Sequence, residues 1–74
     1  MFGVKDMRLK VNGKEYETKT ETILQLLREM EIMQGRVAIE VNLDVIKKTD
    51  YENYRLQDGD NVEIVYFVGG GNGR

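Results

Sequence analysis

Few residues in this 74-residue chain could do chemistry. There is no cysteine and no histidine. That removes thiolate metal sites, a cysteine nucleophile, the commonest general base and the commonest metal ligand. Asp58 and Asp60 flank Gly59 and read as turn residues rather than metal ligands, so no metal site is expected. A chain this short cannot easily build a pocket and also fill a core, which makes it a poor candidate for an enzyme. What remains is the run Gly69-Gly70-Gly71 near the C-terminus. Glycine lacks Cβ and reaches extended or left-handed geometries freely. Two readings of the run stand: an inert linker or terminus, or a thin arm that threads into another protein's narrow active site. Position favours the arm, because the glycines directly follow a strand-like segment.

An arm needs a fixed point to start from. Met7-Arg8-Leu9-Lys10-Val11 alternates apolar and charged residues, the period of a half-buried strand. Asn12-Gly13 is a strong hairpin signal, because both centre positions of a type I′ turn need φ > 0. Lys14 to Thr18 is the returning strand, anchored by Tyr16. Thr22 is expected to cap a helix, with Gln25 completing a capping box. Ile23, Leu26, Leu27 and Met30 then share one helical face, and Arg28, Glu29 and Glu31 the other. The helix is expected to stop before Gly35, a natural C-terminal punctuator. Val37, Ile39 and Val41 alternate as a third strand, Leu43-Asp44 reads as a turn, and Val45-Ile46-Lys47 as a short fourth strand. Asp50 to Arg55 reads as one irregular helical turn, Asp58-Gly59-Asp60 as a tight turn, and Asn61 to Val68 as the last strand.

The order ββ-α-β-(β)-β predicts an α+β fold, a mixed sheet of four to five strands with one main helix on one face. The first and last strands are candidates for a parallel central pair, since a long crossover joins them. That is the β-grasp, or ubiquitin-like, arrangement. The expected organisation is a flexible leader over residues 1–6, a β-grasp domain over 7–68 and a flexible glycine-rich tail over 69–74.

The last strand breaks its own alternation. Val62, Ile64, Tyr66 and Val68 fit one face, but Val65 and Phe67 share the other face with Glu63. A central strand is often apolar on both faces. Alternatively, because the single helix is already used, Val65 and Phe67 form a partly exposed docking patch for a partner.

Eleven basic and 13 acidic residues give a net charge of −2, no electrostatic footprint for nucleic acid. No apolar stretch approaches the roughly 20 residues that span a bilayer, and Met1 to Asp6 lacks a signal core. The expectation is a soluble cytoplasmic protein, monomeric when free. Arg55, Lys47 and Lys48 read as a solvated charged face rather than a contact for an acidic partner.

The segment from Leu56 to Gly71, LQDGDNVEIVYFVGGG, resembles the C-terminal signature of bacterial ThiS proteins, the sulfur carriers of thiamine biosynthesis. Val11-Asn12-Gly13-Lys14 resembles their first hairpin, Thr22-Ile23 with Leu26-Leu27 their helix start, and Val41-Asn42 the end of their third strand. The resemblance runs from Met7 to Gly71. It implies that the C-terminal glycine carboxylate is the reactive group, here Gly71, or Gly70 if the chain is trimmed shorter. An E1-like partner adenylates that carboxylate with ATP, sulfur displaces the adenylate to leave a thiocarboxylate, and thiazole synthase receives the sulfur. A sulfur-donating enzyme is a further implied partner. No cofactor is bound, and the ATP is consumed by the activating partner. A chain without cysteine can carry sulfur this way, because the sulfur replaces a carboxylate oxygen.

Asn72-Gly73-Arg74 departs from the pattern, which ends at glycine. A tail-trimming peptidase removes these residues, or they are foreign to the natural chain, or this member is not thiolated; the first two are preferred. Alternatives to the thiamine role are a sulfur carrier for molybdopterin, homocysteine or a specialised metabolite, and a non-covalent ubiquitin-like binding module with an inert tail.

Overall fold

A computed structural model of the chain describes residues 6–67. Val68, the glycines Gly69, Gly70 and Gly71, and the leader before Asp6 lie outside the described residues. The elements are β1 (Met7–Val11), β2 (Lys14–Thr18), α1 (Ile23–Glu29), β3 (Val37–Val41), β4 (Asp44–Ile46) and β5 (Asn61–Tyr66), with 3-10 turns at Gln34–Arg36 and Lys48–Asp50. They form one five-stranded sheet in the order β2-β1-β5-β3-β4. β5 lies at its centre, parallel to β1 and antiparallel to β3. This is the β-grasp topology, with the expected parallel pair of first and last strands.

Local signals explain most of the boundaries. Asn12 and Gly13 have φ of 51° and 83°, the type I′ hairpin that Asn-Gly favours. At the start of α1 the capping box is complete: Gln25 N–H donates to Thr22 Oγ1 at 3.2 Å, and Thr22 N–H donates to Gln25 Oε1 at 3.4 Å. The next free helix N–H groups are met from a distant segment. Ile23 N–H donates to the Tyr54 carbonyl and Leu24 N–H to that of Tyr51, so the connection before β5 closes the helix's open end.

Three expectations need correction, and a fourth is sharpened: the helix stops before Gly35, at Glu29. Glu31 takes φ 60°, its N–H donates to the Arg28 carbonyl, and Ile32 N–H donates to that of Leu27. These two bonds are a Schellman closure, built with glutamate in the left-handed position usually held by glycine. Gly35 instead lies in a 3-10 turn. The β3–β4 turn is Asn42-Leu43, with φ of 52° and 76°, so β4 starts at Asp44 and ends at Ile46 rather than running to Lys47. The helical turn expected over Asp50 to Arg55 starts earlier, at Lys48. Finally, β5 ends at Tyr66, although Phe67 N–H still donates to the Arg36 carbonyl at 3.0 Å.

The core lies between α1 and one face of the sheet. Ile23, Leu26 and Leu27 of the helix are fully buried against Leu9, Val37, Ile39, Val41 and Val62 of the strands. Tyr51 and Leu56, from the connection before β5, complete the cluster. The opposite face carries no helix or strand layer among the described residues.

Candidate functional site

The site expected from the sequence is the end of β5 together with the residues C-terminal to it. β5 is fixed from both sides. Towards β3, Val65 pairs with Ala38 and Tyr66 with Val37. Towards β1, Lys10 N–H donates to the Asp60 carbonyl and Asn12 N–H to that of Val62. The glycines Gly69, Gly70 and Gly71 come within five residues of this anchored strand and lie outside the described residues.

Val65 and Phe67 are 51% and 57% exposed, on the face opposite the helix. The register adds a further exposed apolar residue on this face, one rung away: Val45, 71% exposed, pairs with Glu40, which in turn pairs with Glu63 of β5. Val45, Val65 and Ala38 therefore share one face. Leu43, in the adjoining turn, is 83% exposed. Lys48 borders the patch, with Nζ 4.9 Å from the Phe67 ring centroid.

Tyr66 departs from the expected pattern. Val62 and Ile64 are buried, but Tyr66, with the same parity, is 56% exposed. A seven-residue helix rises only about 10 Å, and Tyr66 lies past its end. It lines a shallow hollow with Glu31, Ile32, Met33 and Arg36. The end of β5 thus carries exposed apolar groups on both faces. Sequence alternation placed Tyr66 on the right face; helix length, which decides its exposure, was not visible in it.

The acidic turn is structural. Asp58 Oδ1 accepts the Arg8 N–H at 2.7 Å, and the Asp60 carboxylate accepts Gln57 N–H at 2.8 Å and Asn42 Nδ2 at 3.0 Å. Gly59, at φ 90°, allows the turn. Among the described residues no group of three or more His, Cys, Asp or Glu is placed to hold a metal ion. Nor is any helix there long and apolar enough to cross a membrane. Arg55 pairs with Glu21 at 3.0 Å, an exposed contact worth little. Two further residues escaped sequence reasoning: Asn12 and Asn42, read only as turn or strand-end positions, send their side chains to the backbone of β5.

A model of the ThiS family matches residues 9–71. The chain is 42% identical over 65 residues to the sulfur carrier protein ThiS of Bacillus subtilis, which covers 85% of this chain and 98% of that protein. It is also 39% identical over 66 residues to a thiazole synthase of Paramagnetospirillum magneticum and 33% identical to one of Magnetococcus marinus. In both cases the match covers 88% of this chain but 20% of the longer protein. The crystal structure of the thiamine biosynthesis protein ThiS from Geobacter metallireducens superposes with a TM-score of 0.76 at 33% identity, covering 88% of this chain and 100% of that one.

Proposed function

This chain belongs to the ThiS family, and from that premise we propose that it is a sulfur carrier for thiazole formation in thiamine biosynthesis, with the Gly71 α-carboxylate as the group that carries the sulfur. The observation that carries the reading is the geometry of β5. A central strand, paired on both sides, ends at Tyr66 beside exposed Val65 and Phe67. Gly71 lies four residues beyond Phe67, a reach of at most about 14 Å. A partner docked on the patch therefore has the carboxylate close at hand.

The chemistry runs on the partner's surface. A Gly71 carboxylate oxygen attacks the α-phosphorus of ATP, and pyrophosphate leaves. Sulfide-level sulfur (HS−) released by a donor enzyme adds to the acyl carbon, AMP departs with the bonding electron pair, and the S–H proton is lost to solvent. The product is a glycyl thiocarboxylate. Glycine leaves the acyl carbon open on both sides, so nucleotide and nucleophile can each reach it in a closed site. The carrier contributes presentation, while the E1-like partner contributes orientation and charge stabilisation. Val65 and Phe67 form the contact with that partner, and the carrier remains a co-substrate rather than a catalyst.

Thiazole synthase as the acceptor is favoured over a different product by the two thiazole synthases that contain a stretch similar to this chain. The reading needs a Gly71 carboxylate free of Asn72-Gly73-Arg74, either through a trimming peptidase or because those residues are foreign to the natural chain. The setting proposed is the cytoplasm, with the free carrier a monomer.

The test is an intact-mass measurement. The chain ending at Gly71 is incubated with ATP, a sulfur source and a competent activating partner. Its mass is expected to rise by one oxygen-to-sulfur exchange, and the 74-residue chain should stay unchanged. An unaltered mass for the Gly71-ended chain would sink the carrier reading and leave the binding-module alternative.

A further inference from the structure

The β1–β5 ladder ends one rung early in the backbone and is continued by a side chain. Val11 pairs with Val62, the last residue pair of the register. Beyond it the chain turns away into β2, and no β1 residue remains to meet the Ile64 peptide. The Asn12 side chain takes that place: its Oδ1 accepts the Ile64 N–H at 2.6 Å, and its Nδ2 donates to the Ile64 carbonyl at 3.1 Å. An amide set against a peptide group in this way reproduces a strand contact.

We propose that Asn12 is a positioning residue for the acyl chemistry at Gly71: its amide fixes the direction in which β5 leaves the sheet. The proposal rests on the carrier reading above. Ile64 is seven residues before Gly71. With Asn12 in place, β5 is restrained from both sides through Ile64. Without it, two-sided restraint ends at Val62, and the part held by β3 alone lengthens. A carboxylate that explores a larger volume costs more to capture, so the loss falls on docking rather than on the chemical step.

The fold supplies its own control. Asn42 has a similar left-handed φ of 52°. Its Oδ1 accepts the Asn61 N–H at 3.0 Å, and its Nδ2 donates to Asp60 Oδ1 at 3.0 Å. It too ties a turn to the start of β5, by one hydrogen bond to the strand and one to the carboxylate just before it, at the end remote from Gly71.

The experiment compares N12G and N42G, both in the chain ending at Gly71. Glycine keeps the left-handed turn and removes the amide, and the backbone freedom it adds is common to both variants. The readouts are pyrophosphate release by the activating partner and hydrogen exchange. N12G is expected to raise KM for the carrier about tenfold with kcat unchanged, while N42G stays within about twofold. Ile64 N–H exchange should accelerate in N12G while Val65 N–H, which faces β3, keeps its protection. N12D keeps the turn but sets a carboxylate against the Ile64 carbonyl, and is expected to shift KM in the same direction. Equal KM values for N12G and the parent, or equal shifts in N12G and N42G, overturn the proposal. A parent chain that releases no pyrophosphate overturns the carrier reading instead.

Discussion

The ammonium of Lys48 covers the ring of Phe67 at 4.9 Å while donating to the Val37 carbonyl at 3.1 Å. One cation thus ties the connection after β4 to β3 and to the residue that follows β5. Exposed cation–π contacts are worth about 0.5–1 kcal/mol, enough to bias the ring's orientation without closing it to a partner.

Replacing Phe67 with serine tests the patch. The ring is more than half exposed, so thermal stability should change little. Affinity for the activating partner should fall about tenfold or more, as for an aromatic interface anchor. Isothermal titration measures it, and unchanged affinity would exclude Phe67 from the interface.

Leu43→Gly should stabilise the protein by about 1 kcal/mol. Leu43 sits at φ 76° with its side chain in solvent, a backbone conformation costly for any residue with a Cβ. Glycine would turn Asn42-Leu43 into the same dipeptide as the first hairpin. Chemical denaturation gives the difference; a destabilised variant would mean that Leu43 makes a contact that outweighs its strain.

Leu26→Ala should abolish stable folding near physiological temperature. Leu26 is fully buried between the helix and the sheet. A Leu→Ala cavity costs about 2–5 kcal/mol, against a net stability of about 3–5 kcal/mol for a core of this size. Loss of the near-ultraviolet circular dichroism signal would register it, and a variant with a parental melting temperature would contradict this assignment of the core.

Alkaline pH should weaken the fold through Tyr16. Burial pushes its phenol above the ordinary value of 10.0, and the Glu29 carboxylate adds to the shift by its charge and by accepting the phenol's hydrogen bond. A group whose pKa is raised on folding contributes stability that is fully present below pH 10.0. That contribution is lost as pH rises through the folded value. Tyrosinate absorbance should show Tyr16 titrating late, and the stability gap between parent and Tyr16→Phe should shrink as pH climbs from 10.0 to that point and level off above it. A Tyr16 that ionises at or below 10.0 would contradict the arrangement.

Much of this fold is legible in the residues because each local signal agrees with the topology. Asn12-Gly13 dictates its turn, Thr22 and Gln25 dictate the helix start, and the alternation of Val37, Ile39 and Val41 gives the buried face of β3. The parallel pairing of β1 and β5 follows from counting elements. What stayed hidden depends on residues acting outside their preferences. Glu31 and Leu43 hold left-handed positions without being glycine, so the helix ended early and the second turn shifted by one residue. The candidate site was legible in its composition, Val65 and Phe67 beside a glycine run, but not in its extent. Val45 joins that face only through the register of β3 and β4, and Tyr66 is exposed only because α1 is short. The side chains of Asn12 and Asn42 reach β5 across the sheet, and sequence spacing carries no trace of such contacts.

The central place of β5 has a consequence for synthesis. β5 is made last among the strands, yet β1 and β3 both pair with it, and without it the sheet separates into two hairpins that lack a shared neighbour. Isolated hairpins are marginal in water, so a chain cut short before Asn61 has no fold and no outer patch. Under the proposed role, a truncated chain could then not occupy an activating partner as a dead-end competitor: the strand that completes the body is the one that leads to the proposed reactive end, and a ribosome that stops early would release material for proteases, as pulsed proteolysis of stalled chains would display.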